Sequence, residues 1–318
     1  SSLLASMYYK NLNNNMTTFS NIFKKKEHAR WNEASLIHDF TKKYNHKHYD
    51  YFFKEDIFVK KLKKIINHLG EPFGGGLPSW FLLEKISKKF KVVLSGTGGD
   101  ELFGNYNRQF NFIQSAKNSY NEKSFNKNYF YNNLFLADLS FKKKYTNLSH
   151  EFNKNVSKPL FNFFKKNKNN HSISKTISML DLNYDLPDDY LYLSDKFSMA
   201  HSTELRTPYL DHELVELIYS IPEKFRVSKN IYKPILRSIG SKYLPKSYFT
   251  PKKTGLMRKE LKQMVEDLLS PTSLEQNGII KGNFYGDFVL PMMKGSNKNI
   301  QLIWNIFVLQ LWLKLNFN

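Results

Sequence analysis

The clearest chemical signal in the chain is a glycine-rich turn between a predicted strand and a predicted helix. Lys91 to Leu94 predicts a short buried strand, and a helix follows from about Leu102. The turn between them reads Ser95-Gly96-Thr97-Gly98-Gly99-Asp100-Glu101. Such a turn surrounds an open space with main-chain N–H groups and with the partial positive charge of a helix start, which favours anions. Because open α/β sheets bind ligands at the carboxyl ends of their strands, this turn is a candidate phosphate site.

Asp100 adds a carboxylate to the end of this turn. Beside bound phosphates, a carboxylate and the phosphate oxygens can share a hard cation such as Mg²⁺. The glycines would let the backbone approach such a ligand closely. The alternative is a tight strand-to-helix turn in which Asp100 only caps the helix. The spacing alone leaves both interpretations open.

Two further segments carry charge that could do chemistry. The stretch from Asp195 to Asp211 concentrates charged side chains beside small residues: Asp195, Lys196, Glu204, Arg206 and Asp211. Alternating charges of this kind usually form a salt-bridge network that holds two elements together, so a structural role is favoured. Lys233 is a compact, mobile cation that could follow phosphate charge, although many other cations in the chain could do the same.

Composition narrows the classes of function. The chain has 318 residues, a net charge of +20 and no cysteine, which excludes disulfides, thiolate metal sites and a cysteine nucleophile within it. The basic balance fits nucleic acid, an acidic membrane surface or an anionic substrate, but its lysines are dispersed, including groups at 24–26, 142–144 and 252–253. No apolar run reaches the roughly 18 to 20 residues of a membrane span. No secretory signal is visible, so we expect a cytoplasmic protein that binds neither nucleic acid nor membrane.

The elements that would position these residues alternate between strand and helix in the first part of the chain. Helices are predicted over 3–10, 33–44, 57–69 and 80–90, and strands over 16–23 and 48–53. This alternation indicates an α/β fold whose parallel sheet has helices on both faces. From 185 onward the pattern is helical, including a helix capped by Asp211 with Leu214, Leu217, Ile218 and Ile221 at core spacing and a buried helix over 300–315. We therefore divide the chain into a nucleotide-binding α/β core, 1–110, and a large helical C-terminal half, 111–318.

Taken together and in order, these segments resemble the synthetase domain of the glutamine-hydrolysing asparagine synthetase family. The matching stretches are 92–104, 195–211, 233–237 and 302–313, with Thr18-Phe19-Ser20 similar to the family strand beside the adenine and Glu71-Pro72 similar to its Glu-Pro turn. The resemblance implies a fold of the adenine-nucleotide α-hydrolase-like type, with a pyrophosphatase loop after its first strand. Ser1 and Ser2 would be the end of that loop. The strand, the loop glycines, the first Asp and a glutaminase domain are expected upstream of this chain.

The resemblance also implies a reaction and a set of roles. ATP would activate the side-chain carboxylate of aspartate as an acyl-adenylate, and ammonia released from glutamine would then displace AMP to give asparagine. Lys233, Asp100 and Thr97 would be catalytic, and Asp100 would also hold Mg²⁺. The nucleotide would contact Ser1, Ser2, Phe19, Ser20, Asn21, Ser95, Gly96, Gly98 and Gly99. The substrate-side scaffold would comprise Glu71, Asp195, Glu204, Arg206 and Asp211. A homodimer is a further expectation.

Thr97 departs from the family pattern, because asparagine-forming members usually carry Glu or Asp there. A threonine hydroxyl does not titrate near neutral pH, so it cannot handle protons as a carboxylate can. This departure favours a related amidotransferase that acts on another carboxylate, on a surface sugar or a secondary metabolite. An inactive, truncated homologue and a basic nucleic-acid binder are the remaining alternatives. Asn21 and Gly70 are smaller departures, near the predicted adenine strand and before Glu71.

Overall fold

The computed structural model of the chain describes residues 1–14, 16–22, 33–52, 54–104, 139–226, 231, 233–249, 265–276, 278–296 and 299–317. The lysine groups at 24–26 and 252–253 and the predicted helical segment 111–138 lie outside these residues. None of the described helices is both long enough and apolar enough to cross a membrane.

The amino-terminal part alternates between helices and strands, as the sequence predicts. Its elements are α1 (Ser2–Leu12), β1 (Thr17–Ile22), α2 (Ala34–Tyr44), β2 (Lys47–Phe52), α3 (Glu55–Leu69), α4 (Leu77–Ile86), β3 (Val92–Leu94) and α5 (Gly99–Phe103). Strands β1 and β2 pair in parallel, from Thr17 opposite Lys47 to Ile22 opposite Phe52. A parallel pair needs a crossover between its strands, and α2 lies within that connection.

The remaining part is mostly helical. Its elements are α6 (Leu139–Tyr145), α7 (His150–Asn167), α8 (Ile173–Leu180), a π-helix (Asp181–Leu191), α9 (Tyr192–Met199), β4 (Glu204–Arg206), a 3₁₀ turn (Pro208–Leu210), α10 (His212–Ser220), α11 (Glu223–Arg226), α12 (Pro234–Ser241), a 3₁₀ turn (Lys246–Phe249), α13 (Pro271–Gln276), a π-helix (Tyr285–Val289), α14 (Leu290–Met293) and α15 (Ile300–Asn316). The mixed α/β class is confirmed, and the pyrophosphatase-loop type stays a prediction.

The described strands form two separate parallel pairs rather than one continuous sheet. The second pair joins β3 to β4, with Val92 opposite Glu204 and Leu94 opposite Arg206. Strand β4 has no counterpart among the predicted strands, because its three residues lie in a stretch dominated by charge. The prediction of a buried β3 is wrong, because Val92 and Leu94 are each 43% exposed. Alternate residues share one face of a strand, so these two side chains form a solvent-facing surface with the charged side chains of β4.

The chain forms two compact units, each assembled from three segments. The first comprises Ser1–Phe53, Pro78–Ser115 and Asn167–Gly255, and the second comprises Lys54–Leu77, Ala116–Lys166 and Leu256–Asn318. The division at residue 110 describes a change in sequence character and stays a prediction.

In the first unit, part of the hydrophobic core is formed by α5 and the residues that pack against it. Leu102 and Phe103 pack with Tyr209 and Ile218, and all four are buried. Asp211 caps α10 as predicted, accepting main-chain hydrogen bonds from the next turn. The expectation that Leu217 faces the core is wrong, since it is 59% exposed. Ile218 is the one fully buried residue of α10, so the buried face of this helix is narrow and Leu217 lies outside it.

In the second unit, the C-terminal helix α15 packs against α3. Trp304 on α15 donates a hydrogen bond from Nε1 to the carbonyl oxygen of Gly74 at 3.0 Å. A Cβ atom on Gly74 would overlap the Trp304 ring, so only glycine allows this approach. The predicted buried helix over 300–315 is confirmed, with bounds at Ile300–Asn316.

Candidate functional site

The glycine-rich loop after β3 is held by its own hydroxyl groups and by β4. The Ser95 N–H donates to the carbonyl oxygen of Arg206 at 2.8 Å, which extends the pairing of β3 and β4 by one bond. The hydroxyls of Ser95 and Thr97 hydrogen-bond at 2.7 Å, and the Thr97 N–H donates to Ser95 Oγ at 3.1 Å. Thr97 therefore helps to fix the shape of the loop.

The second half of the loop requires glycine and packs against the 3₁₀ turn Pro208–Leu210. Gly98 has φ +87°, in the left-handed region that disfavours other residues, and a Cβ atom there would overlap the Leu210 side chain. A Cβ atom on Gly99 would lie 3.2 Å from the Tyr209 ring. The 3₁₀ turn Pro208–Leu210 thus supports the loop from behind, directly after β4.

Asp100 and Lys233 meet at the end of this loop. Asp100 lies in the first turn of α5, and the Lys233 ammonium pairs with its Oδ1. The Lys233 side chain is only 15% exposed, whereas that of Asp100 is 42% exposed. Lys233 also has a left-handed backbone, with φ +52°, immediately before Pro234 begins α12. Non-glycine residues adopt this region rarely, because it strains the backbone.

The start of α1 joins the same cluster. A Cβ atom on Gly96 would overlap the main-chain nitrogen of Ser1, so the loop lies directly against the first helical turn. That nitrogen is within electrostatic range of both Asp100 and Lys233. The Ser2 hydroxyl hydrogen-bonds to the Tyr248 hydroxyl at 3.2 Å. Ser1, Gly96, Asp100 and Lys233 are therefore brought together.

Tyr209 lies buried beside Asp100. Burial, and then the negative charge of Asp100, raise the pKa of Tyr209 to about 12. The phenol therefore keeps its proton across the physiological pH range. Tyr209 is neutral, so it adds no negative charge beside Asp100.

The predicted adenine strand has a different environment. Phe19 stacks on Tyr49 with ring centroids 5.4 Å apart and meets the Phe90 ring edge-on at 5.5 Å. Asn21 Nδ2 donates to the carbonyl oxygen of Pro78 at 2.9 Å. Ser20 lies opposite Asp50 in the β1–β2 pair. These contacts place Phe19, Ser20 and Asn21 on the β1–β2 sheet, and their nucleotide contacts stay predictions.

One ion pair of the charged stretch from 195 to 211 lies within a single strand, and the wider network stays a prediction. Arg206 Nε donates to Glu204 Oε1 at 2.8 Å, but both side chains belong to β4 and are exposed. Arg206 lowers the pKa of Glu204. This ion pair lies within one strand, because residues two apart on a strand share a face, and it does not join two elements. Main-chain hydrogen bonds join β4 to the β3 segment: the Ser95 N–H donates to the Arg206 carbonyl at 2.8 Å, and the Glu204 N–H donates to the Lys91 carbonyl at 2.7 Å.

The other scaffold residues have local roles in the structure. Asp211 Oδ1 accepts from the Glu213 N–H at 3.1 Å and from the Leu214 N–H at 3.4 Å, as a helix cap does. Asp195 lies in the first turn of α9. Glu71 belongs to the second unit. Their predicted position on the substrate side stays a prediction.

Three residues at the site carried no prediction of their own: Tyr209 and Leu210 support the loop, and Tyr248 contacts Ser2. Proline after Thr207 was a usable signal for a rigid turn at 208–210. Tyr248 has no comparable local signal, because its contact joins residues 246 positions apart.

The residues of the cluster fit a Mg²⁺–phosphate complex rather than a metal site made by protein alone. In the described part of the chain, no group of three or more His, Cys, Asp or Glu side chains could hold a metal ion. Mg²⁺ is commonly held by one or two carboxylates together with substrate phosphates and water. The half-exposed Asp100 carboxylate would supply one such ligand.

A glycine loop at the end of a parallel strand, with a carboxylate and a lysine at its mouth, is typical of α/β proteins that bind anionic ligands. The model of the asparagine synthase family matches residues 1–314, and the chain belongs to that family.

Individual relatives are distant. Asparagine synthetase [glutamine-hydrolyzing] 1 of Bacillus subtilis (strain 168) is 22% identical over 305 residues, which covers 81% of this chain and 46% of the relative. A putative asparagine synthetase [glutamine-hydrolyzing] 1 of Methanocaldococcus jannaschii is 27% identical over 183 residues, covering 57% of this chain and 24% of the relative. A putative asparagine synthetase of Mycobacterium bovis is 24% identical over 217 residues, covering 57% and 32%. The chain thus spans about half or less of the length of these curated relatives.

Proposed function

We propose that the chain is the synthetase part of an ATP-dependent, amide-forming ligase that converts aspartate to asparagine. The observation that carries this proposal is the Asp100–Lys233 pair at the mouth of the glycine loop, in a chain of the asparagine synthase family. A carboxylate and a cation at that position match the two charges that a metal-bound triphosphate presents.

The reaction has two steps. A side-chain carboxylate oxygen of aspartate attacks the α-phosphorus of ATP, and the bond to the bridging oxygen breaks to release pyrophosphate. The nitrogen of ammonia then attacks the acyl carbon, AMP leaves with the bonding electron pair, and loss of a proton gives asparagine. Both steps depend mainly on positioning and charge neutralisation.

The residues of the chain supply that neutralisation. The Lys233 ammonium would offset the charge that grows on the departing pyrophosphate. The loop from Ser95 to Gly99 would present its main-chain N–H groups to the phosphates, and the Ser1–Ser2 helix start would add to this cradle. Asp100 would hold Mg²⁺, which offsets phosphate charge. Phe19, Ser20 and Asn21 would line the adenine side.

Partners and setting belong to the same proposal. Ammonia would come from glutamine through a glutaminase domain, in keeping with the names of the relatives and with the share of their length that this chain matches. A homodimer and a cytoplasmic location complete it.

Isotope exchange between pyrophosphate and ATP tests the first step directly. The full chain should catalyse this exchange only when aspartate is present, and ammonium chloride should then give AMP and asparagine without any glutaminase. Lys233→Met should lower the exchange rate about 10²- to 10³-fold, as loss of one positioned charge partner does. Lys144→Met removes a lysine that pairs with Asp287 on the surface and should leave the rate unchanged. Aspartate-independent exchange, or full exchange in Lys233→Met, would refute the proposal.

The second candidate is a ligase that amidates another carboxylate. It is supported by Thr97, whose hydroxyl forms a hydrogen bond with the Ser95 hydroxyl. A threonine hydroxyl cannot act as a base near neutral pH. A panel of carboxylic acids in the same exchange assay separates the two candidates, since another acid would then replace aspartate as the activator. If no acid in the panel supports exchange, and calorimetry detects no binding of ATP with Mg²⁺, the result would instead support an inactive homologue.

A further inference from the structure

The 3₁₀ turn Lys246–Phe249, called the Tyr248 turn below, contacts the start of α1. The hydroxyls of Tyr248 and Ser2 hydrogen-bond at 3.2 Å. The Tyr248 ring packs against a buried cluster from α1 and α2 and meets the Phe40 ring of that cluster edge-on. Burial raises the pKa of Tyr248, so its phenol keeps its proton near neutral pH and can donate a hydrogen bond.

The two residues beside Tyr248 hold the Tyr248 turn in place. The Ser247 hydroxyl donates to Asp39 Oδ2 on α2 at 3.2 Å. The Phe249 carbonyl oxygen accepts from both terminal nitrogens of Arg237 on α12, at 3.3 and 3.5 Å, and the guanidinium also lies over the Phe249 ring. These contacts do not involve α1, so they fix the position of Tyr248 independently of the helix start that its hydroxyl contacts.

The start of α1 lies in turn against the glycine loop. Helix α1 begins at Ser2, and a Cβ atom on Gly96 would overlap the main-chain nitrogen of Ser1. Asp100 and Lys233 meet at the end of the same loop. A shift of the first turn of α1 would therefore change its contact with the loop that carries the candidate phosphate site.

We propose that Tyr248 is a positioning residue for the phosphate site, which orients the Ser2 hydroxyl towards the ligand. This inference rests on the proposed function, in which the Ser1–Ser2 helix start belongs to the phosphate cradle. Ionised phosphate oxygens only accept hydrogen bonds, so the Ser2 hydroxyl must donate its hydrogen to them. Tyr248 then supplies the hydrogen of the bond between the two hydroxyls, and a hydroxyl that is oriented before the ligand arrives loses less conformational entropy on binding.

The exchange assay of the full chain with varied ATP and excess Mg²⁺ tests this role. Tyr248→Phe keeps the ring and removes only the hydroxyl. We expect it to raise the KM for ATP about three- to tenfold, as loss of one hydrogen bond does, with kcat changed less than about twofold because Tyr248 would touch no reacting atom. Tyr44→Phe is the matched control, since its phenol lies in the same aromatic cluster but donates to the carbonyl oxygen of Tyr243. It should leave the KM unchanged.

Ser2→Ala completes a double-mutant cycle. It should raise the KM for ATP at least as much as Tyr248→Phe, and Tyr248→Phe should then add nothing, because its partner hydroxyl is gone. Ser2→Ala leaves the Tyr248 turn untouched, so it also tests the link if Tyr248→Phe fails to fold. An unchanged KM in either folded variant, or equal effects of Tyr248→Phe with and without the Ser2 hydroxyl, overturns the positioning role, whereas exchange by the wild type leaves the proposed function standing. If the wild type neither binds ATP nor catalyses exchange, both fail.

Discussion

Replacing Gly98 with alanine tests how closely the 3₁₀ turn supports the glycine loop. Gly98 has φ +87°, and an added Cβ atom would overlap the side chain of Leu210. The left-handed backbone should cost about 1–2 kcal/mol for an L-residue. Forcing a methyl group into an occupied space should add about 1–3 kcal/mol. We therefore expect Gly98→Ala to lower the free energy of unfolding by about 2–5 kcal/mol.

A double-mutant cycle separates these two contributions. In a Leu210→Ala background the overlap is relieved, so Gly98→Ala should then cost only the backbone contribution of about 1–2 kcal/mol. Gly70→Ala provides a matched control, since Gly70 has φ +74° with nothing within 4 Å of the added atom. Its cost should equal that of Gly98→Ala in the Leu210→Ala background.

Urea unfolding followed by circular dichroism gives the required free energies. An equal cost of Gly98→Ala with and without Leu210 would refute the reasoning, because it would show that the 3₁₀ turn does not limit the loop. A cost in the wild type no greater than that of Gly70→Ala would have the same meaning.

Three further outcomes are expected from other parts of the chain. Burial lowers the pKa of His46 and, against the opposing effect of Asp50, the pKa of His48, so the unfolded chain binds more protons and the free energy of unfolding should fall as the pH drops below about 6.5. Urea titrations at several pH values measure this slope, and a slope that persists undiminished in a double His→Gln variant would contradict it. Asp211→Ala should cost about 1 kcal/mol by removing a helix cap, while Asp211→Asn keeps the acceptor and should cost much less; equal costs in thermal unfolding would count against the cap. Trp304→Phe should cost about 1 kcal/mol through loss of its hydrogen bond to Gly74, whereas no loss in urea unfolding would show that this bond contributes nothing net.

Local sequence patterns predicted the first elements well, because the periodicity that identifies each element is contained in its own segment. The predicted strand over 16–23 is observed at Thr17–Ile22, and the predicted helix over 33–44 is observed at Ala34–Tyr44. Alternation and a 3.6-residue period are properties of the segment itself. The C-terminal helix was predictable for the same reason.

Features that depend on distant partners were not predictable from local patterns. Strand β4 has only three residues, two of them charged, and it becomes a strand because β3 lies beside it. The exposure of Leu217 depends on what covers α10, which periodicity does not encode. The helical pattern predicted from 185 onward did not distinguish the π-helix over Asp181–Leu191 from an α-helix.

The candidate site illustrates both cases. The glycine loop was evident from its residues alone, since its glycines and its position after a strand are local features. Asp100 and Lys233 are 133 positions apart along the chain, so their presence in one site could be expected only from the family resemblance. Their direct pairing with each other was not expected by either route.

The bond from the Ser95 N–H to the Arg206 carbonyl has a consequence for sequence change at this site. It uses only backbone atoms, so almost any side chain could replace arginine at 206 without altering the anchor of the loop. Proline at 95 would abolish the anchor, because proline lacks the donor hydrogen. In libraries randomised at these two positions, we expect most residues at 206 to preserve the main-chain anchor of the loop. At 95 we expect proline to be excluded, for a reason unrelated to the serine hydroxyl.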